Sequence, residues 1–370
     1  MKLYNHNSKF ETELGEVISN VVVAYDTWGS LNEAGDNVIW VCHALTANSD
    51  VAAWWPGMVG EGCTFDTSEY FIVCANILGS CYGTTGPLSL RQETGSKWYH
   101  DFPVITIRDI VKLHETLRIH LGIKSIHTII GSSIGGYQAL EYSIMYPEVV
   151  KRLIFIASSA KQSPWAIAFN ESQRLAIEAD QSFFQNDENG GKKGLKAARS
   201  IALLSYRTSF AYNKTQSETD DEKTDSFRAS SYQAYQGDKL VNRFNSWSYY
   251  RLTQLADSHN IGRGRGGVVN ALRSVKAVTL CIGIKSDILY PVEEQKYVAE
   301  NVRNGRYAEI DSFFGHDGFL IETSQVSELI KEFWDSHQAN SESAPKPPEG
   351  GFIDSNFKSP LGDLGAKKQE

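Results

Sequence analysis

Gly131-Ser132-Ser133-Ile134-Gly135-Gly136 follows the apolar run Ile126-His127-Thr128-Ile129-Ile130 and precedes a helical pattern that stops at Pro147. The stretch reads as strand, glycine-pinched turn, helix, with Ser133 at the apex: the nucleophile elbow G-x-S-x-G. The residue types follow from geometry. A serine on so sharp a turn stands clear of the sheet, and glycines at 131 and 135 have no Cβ to collide with the crossing strand and helix. The helix that starts there turns its free N–H groups toward the serine's surroundings. Alone, the run is also compatible with a glycine-rich turn that has no chemistry, so the rest of the chain decides.

Working outward, short apolar runs alternate with helical patterns. Residues 38–42 (Val-Ile-Trp-Val-Cys), 71–75 (Phe-Ile-Val-Cys-Ala), 126–130, 153–157 (Leu-Ile-Phe-Ile-Ala) and 278–282 (Val-Thr-Leu-Cys-Ile) read as buried parallel strands. Apolar positions at Ile107, Ile110, Val111, Leu113, Leu117 and Leu121 mark a helix between the second and third runs. The alternation predicts an α/β fold with a mostly parallel, doubly wound sheet. The segment Val17 to Trp28 is expected to add an antiparallel hairpin at its edge. From about Gln162 to Ala271 the pattern breaks. That span is rich in Gln, Ser, Lys, Arg and Tyr, and its best segments (164–187, 193–212, 239–258) are helical in type. The expected organisation is a sheet domain in two parts, 1–161 and 272–337, a helical lid over 162–271, and a polar, Pro- and Gly-containing tail over 338–370 that is expected to be disordered.

Bulk properties narrow the function. The 370 residues carry a formal charge of −8, with 41% hydrophobic and 22% charged residues. That is an ordinary globular composition, and the acidic balance argues against a nucleic-acid surface. No apolar run approaches the length of about 20 residues that spans a bilayer, and Met1–Asn7 has no signal-peptide apolar core. Five cysteines without paired metal spacing point to a reduced, cytoplasmic protein with no metal site.

A serine nucleophile needs a base, and the base needs an orienting acid. In G-x-S-x-G enzymes they follow in the order serine, acid, histidine. Asp287, in Lys285-Ser286-Asp287-Ile288-Leu289-Tyr290-Pro291, comes just after strand 278–284, where open α/β sheets place their chemistry. His316, in Phe314-Gly315-His316-Asp317-Gly318-Phe319, follows the strand-like Tyr307-Ala308-Glu309-Ile310. Each taken singly is compatible with a surface turn or a solvated imidazole; their joint placement after successive strands predicts the triad Ser133, Asp287, His316. Two N–H groups should receive the oxyanion. One is that of Ile134, after the serine; the other is that of Leu45, in the loop His43-Ala44-Leu45-Thr46 after strand 38–42. His43 precedes the nucleophile and is expected to shape that loop rather than to act as base.

With these residues in place, further stretches resemble the homoserine O-acetyltransferase family. They are Cys42-His43-Ala44-Leu45-Thr46, Asn76-Ile77-Leu78-Gly79-Ser80-Cys81-Tyr82-Gly83-Thr84-Thr85-Gly86-Pro87, Asp101-Phe102-Pro103-Val104-Ile105-Thr106-Ile107-Arg108-Asp109, the elbow with Gln138-Ala139-Leu140-Glu141, Ser286-Asp287 and Gly315-His316-Asp317. The resemblance runs from about residue 10 to about residue 335. It implies an α/β-hydrolase fold with a helical lid and a homodimer formed through that lid. It implies acetyl transfer from acetyl-CoA to L-homoserine by a ping-pong route through an acyl-serine, a step of methionine biosynthesis, with no bound cofactor and acetyl-CoA as co-substrate. It also implies that Arg199 clamps the homoserine carboxylate, that Tyr206 lies beside it, and that Asp317 accepts the substrate ammonium. Ser132 and Ile134 stand where the family usually has Gly and Met, Ala47 where it has Gly, Ile288 where it has Trp, and Gly318 where Ala is common. Succinyl-CoA as donor, serine as acceptor, and a simple esterase or thioesterase on the same triad therefore stay open, as does a binding module without catalysis.

Overall fold

The apolar runs become the centre of an eight-stranded sheet. The computed structural model describes residues 1–338. Its strands are β1 (Lys2–His6), the short pair β2 (Phe10–Glu11) and β3 (Val17–Ile18), β4 (Val21–Trp28), β5 (Val38–Cys42), β6 (Phe71–Ala75), β7 (Thr128–Ser132), β8 (Arg152–Ile156), β9 (Val278–Ile284) and β10 (Gly305–Ile310). The main sheet has the order β1-β4-β6-β5-β7-β8-β9-β10. From β6 to β10 every pairing is parallel, whereas β4 joins β6 and β1 joins β4 antiparallel. All five residues of β5 and of β7 are buried. That is why these strands read as unbroken apolar runs rather than as alternating ones.

Val17 to Trp28 does not form a hairpin. Its first part, β3, pairs with β2 in a separate two-stranded sheet, and its second part, β4, pairs with β1 and β6. Asn20 between them has φ 53°, which turns the chain out of one sheet and into the other.

The parallel strands are connected by α1 (Val51–Trp54), α2 (Ile107–His120) and α3 (Ile134–Met145). Thr106 and Asp109 close a capping box on α2, Asp109 Oδ2 accepting from the Thr106 N–H at 2.8 Å. Between β8 and β9 the chain passes through six helices: α4 (Pro164–Glu178), α5 (Lys192–Tyr206), α6 (Ser209–Gln216), α7 (Arg228–Val241), α8 (Ser246–Asp257) and α9 (Val268–Arg273). Several starts have a local cause. Ser163 caps α4 at the Ala166 N–H with Pro164 in the first position, and Thr208 caps α6. The single helix expected over 239–258 is two, because Asn245 N-caps α8, its side chain taking the Ser248 N–H at 2.7 Å. Helices α10 (Val292–Asn301), α11 (Gly318–Ile321) and α12 (Thr323–Gln338) complete the order.

Residues 1–332 form one compact unit, and the described end of α12, from Phe333, falls outside it. Of the tail expected to be disordered over 338–370, Gln338 is the last residue of α12, and 339–370 lie outside the described residues.

Candidate active site

The site is assembled from loops and turns at the carboxyl ends of four parallel strands. Ser133 comes after β7, Leu45 after β5, Asp287 after β9 and His316 after β10. Strand ends on this side are where open α/β sheets carry ligands and chemistry.

Ser133 has φ 57° and ψ −128°, a backbone conformation that costs a non-glycine residue about 1–3 kcal/mol. The neighbours over-determine it. The Ser133 N–H donates to Ile156 O at 3.1 Å, and Ser158 Oγ donates to Ser133 O at 2.7 Å. A Cβ at Gly131 would fall inside the carbonyl of Gly135, and one at Gly135 inside that of Cys42. The glycines at these two positions are thus demanded by the approach of α3 to β5 and β7. Ile134 opens α3, so its N–H has no intrahelical acceptor. Among the described residues, the Leu45 N–H is taken by no carbonyl or side chain.

Asp287 and His316 are brought together. Nδ1 of His316 lies 2.7 Å from Oδ2 of Asp287. The other carboxylate oxygen of Asp287 accepts the N–H groups of Leu289 (2.8 Å) and Tyr290 (3.0 Å), which fixes the acid's orientation. Both side chains are buried. Burial works against the charged imidazole. The Asp287 carboxylate, through charge and hydrogen bond, and the charge of Asp317 outweigh it, so the His316 pKa is held above its usual value. With Nδ1 engaged by the acid, Nε2 is the nitrogen left for proton transfer.

Ser133 and His316 line one cavity of about 420 Å³, shared with Leu45, Arg199, Tyr206 and Asp317. Six of the eight residues proposed from the sequence thus meet in one space, with Asp287 behind the imidazole and Ile134 behind the serine. Arg199 and Tyr206 are seven residues apart on α5, two helical turns, and so share a face. The Arg199 guanidinium lies 5.5 Å from the Tyr206 ring centre and forms no ion pair among the described residues. Burial raises the Tyr206 phenol pKa, partly countered by the charge of Arg199.

Sequence reasoning missed three features. Arg207 Nε pairs with Asp317 Oδ2 at 3.0 Å, so the acid is already oriented by the residue next to Tyr206. Arg243 lines the cavity and bridges the helical segment to the loops after β5 and β6, donating to Thr46 O (2.5 Å) and Tyr82 Oη (2.6 Å). Gln162 and Tyr290 line a second, smaller space beside Ser133. All three depend on tertiary convergence that no local spacing reveals.

His43 holds its loop. Ile77 N–H donates to Nε2 at 3.2 Å, Nδ1 lies 2.9 Å from Ala44 O, and burial lowers the imidazole pKa to about 4. No group of three His, Cys, Asp or Glu among the described residues is arranged to hold a metal ion.

The family model described as alpha/beta hydrolase fold matches residues 37–322. The chain is an α/β-hydrolase-fold protein whose sheet carries a serine elbow and an acid–histidine pair. The homoserine O-acetyltransferase of Cyclobacterium marinum is 49% identical over 322 residues, covering 87% of this chain and 92% of that one. The chain belongs to the homoserine O-acetyltransferase family. Among solved structures, the homoserine O-acetyltransferase of Staphylococcus aureus is 30% identical with a TM-score of 0.76, covering 90% of this chain and 94% of that one. An acetylester hydrolase from Corynebacterium glutamicum, 24% identical with a TM-score of 0.80 over 90% of this chain and 95% of that one, shares the fold.

Proposed function

We propose that the protein transfers an acetyl group from acetyl-CoA to the hydroxyl of L-homoserine through an acyl-enzyme on Ser133. Nε2 of His316 takes the Ser133 proton as Oγ attacks the thioester carbon. The oxyanion is received by the N–H groups of Leu45 and Ile134. The C–S bond breaks, the thiolate leaves with the proton from His316, and acetyl-serine remains. Homoserine then enters the same cavity, its carboxylate on the unpaired Arg199 fork beside Tyr206 and its ammonium on Asp317. His316 takes the hydroxyl proton, the oxygen attacks the acetyl carbon, and collapse of the adduct returns the proton to Ser133.

The observation that carries this reading is the unpaired Arg199 and the oriented Asp317 in the same cavity as Ser133 and His316. Hydrolysis needs the triad and the oxyanion donors but no clamp for an amino acid. The clamp also explains how transfer outruns water, since an oriented acceptor reaches effective concentrations of about 10⁵ M or more.

The same reading includes a lid over 162–271, a homodimer formed through it, and a cytoplasmic location. Exposed Leu175, Leu204, Phe210 and Tyr235 on its helices support the dimer. All five cysteines are free, which agrees with a reducing compartment. No helix among the described residues is long and apolar enough to cross a membrane.

The test is thiol release from acetyl-CoA with and without homoserine, followed alongside O-acetylhomoserine. Release that requires homoserine and matches product is expected, with none from Ser133→Ala of unchanged fold. Release independent of homoserine would make the protein a thioesterase instead.

A further inference from the structure

The direction of the Leu45 N–H is set by a turn. Residues Ala44 to Ala47 close on themselves, the Ala47 N–H donating to Ala44 O at 3.1 Å. The same carbonyl takes a second donor, His43 Nδ1 at 2.9 Å. The Ile77 N–H donates to the other ring nitrogen at 3.2 Å, so Nδ1 is the one that carries the hydrogen. A trans peptide is planar, with its carbonyl and its N–H pointing opposite ways. Drawing the Ala44 carbonyl toward His43 and Ala47 therefore turns the Leu45 N–H away from them, and Leu45 shares its cavity with Ser133.

The Thr46–Ala47 peptide is held from the other side of the molecule. Its N–H is the donor to Ala44 O, and its carbonyl accepts from Arg243 Nη1 at 2.5 Å. Arg243 also donates to Tyr82 Oη at 2.6 Å and, through Nη2, to Thr46 Oγ1 at 3.3 Å. Arg243 stands between α7 and α8, in the helical segment. Its own position is fixed: Cys81 Sγ lies 3.8 Å from its carbonyl, and buried Phe244 beside it packs edge-on against the Tyr82 ring at 5.6 Å. A planar guanidinium on three neutral acceptors is a preorganised clamp.

We propose that Arg243 is a positioning residue of the oxyanion site. It holds the Thr46 carbonyl, the Thr46–Ala47 plane aims the Ala47 N–H at Ala44 O, and the Ala44–Leu45 plane aims the Leu45 N–H at the developing oxyanion. Two peptide planes thus carry a grip from the helical segment to the donor. His43 holds the turn from the core, Arg243 from the helices, and the oxyanion site is complete when both are in place. This role rests on the reading of Leu45 as an oxyanion donor given above. A cation on the cavity wall would also suit the phosphates of an acyl donor, and a donor without phosphates separates the two roles.

The experiment compares the parent with Arg243→Met, Arg243→Lys and Tyr82→Phe, each checked for an unchanged urea midpoint. Acylation of Ser133 is followed with p-nitrophenyl acetate and with acetyl-CoA, and inhibition with a methyl trifluoromethyl ketone, which adds to the serine as a tetrahedral anion. Arg243→Met is expected to slow acylation by the ester about 10- to 100-fold at saturation, with KM within about 2-fold, because a misdirected donor is missed in the transition state and not in the ground state. The ketone should weaken by a similar factor. Arg243→Lys, which keeps a donor for Thr46 O, should recover part of the rate, and Tyr82→Phe, which frees one side of the clamp, should lose about 3-fold or more. Acylation by the ester at the parent's rate in folded Arg243→Met and Tyr82→Phe overturns the inference, as does slowing with acetyl-CoA alone, which would make Arg243 a contact for the donor's far end. Undiminished ketone affinity in a slowed variant overturns it too. The ester needs no CoA, so the comparison decides this role even if acetyl-CoA fails to acylate the parent, a result that would defeat the acyltransferase reading instead.

Discussion

At the scale of single residues, the chemistry turns on where one proton sits. His316 is buried, which alone would keep it neutral, yet Asp287 and Asp317 pull its pKa above the usual value near 6.5. A general base must be neutral to act. The acidic limb of kcat/KM for acylation should therefore lie above pH 6.5, since that limb reports the free enzyme's base. Asp287→Asn removes the largest stabiliser of the imidazolium and loosens the tautomer that aims Nε2 at the cavity. The expected outcome is a limb displaced to lower pH and a rate lower by about 10³–10⁴-fold. A pH–rate profile of acetyl-CoA acylation checks both, and a limb that stays in place would remove Asp287 from the charge argument. The meeting of Asp287 and His316 was legible in the sequence because each comes in the turn after one of two successive strands, β9 and β10. The partner of Asp317 was not, although Arg207 stands beside Tyr206 in the chain, because only the fold of α5 against the His316 loop brings the two charges together.

At the scale of elements, the elbow is held by distances that glycine alone satisfies. Gly135→Ala would drive a Cβ into the carbonyl of Cys42, and Gly131→Ala would drive one into that of Gly135. Neither obstacle is a flexible side chain. The strand β5, the strand β7 and helix α3 would have to separate. Each substitution is expected to cost about 3 kcal/mol or more, read from urea unfolding, with loss of acylation in parallel. A variant as stable as the parent would show that the crossing is looser than the geometry implies. Buried strands were legible for the reason given by their environment: with both faces covered, β5, β7 and β9 are apolar without alternation. Their ends were less so. The strand expected over 126–130 pairs over Thr128–Ser132, since apolar character begins before the ladder does and continues into the turn. The edge strand β1 gave no signal, because most of its residues are exposed and polar. Helix α7 has no clear signature because few of its residues are buried, Gly237 and Leu240 among them, so it carries no full apolar stripe. The return from the helical segment to β9 packs Ile261, Leu272 and Val275 into the core and is tied by charges as well. Buried Glu141 on α3 accepts from Arg108 on α2 (3.0 Å) and from Arg265 (2.9 Å), and such convergence leaves no trace in local spacing.

At the scale of the whole molecule, buried His43, His114 and His259 and half-buried His127 set how the fold responds to acid. Burial lowers the pKa of His43 and His127 to about 4 and that of His114 and His259 to about 3. An unfolded chain binds a proton at each near pH 6.5, while the native protein refuses it until the pH is near 4 for two of them and near 3 for the other two. Between those values the unfolded state holds more protons, so native stability rises with pH and falls as the solution is acidified. The contribution is complete above pH 6.5 and is lost as the pH drops toward 4 and then 3. His316 works in the opposite sense. Its raised pKa adds stability that is present below pH 6.5 and fades as the pH rises through the native value. Four groups oppose one, each worth about 1.4 kcal/mol per pH unit where the two states differ by a whole proton. The urea midpoint should therefore be clearly lower at pH 5 than at pH 7.5. His259 identifies the source, because its ring stacks on Tyr137 at 3.8 Å and lies 3.0 Å from Ser159 O through Nε2, with no acid beside it to hold a second charge. In His259→Gln the amide can keep the bond to Ser159 but cannot titrate, so the variant should begin less stable at pH 7.5 and lose less on acidification. A midpoint that does not move between the two pH values, or a variant with the parent's full pH slope, would separate acid sensitivity from these imidazoles.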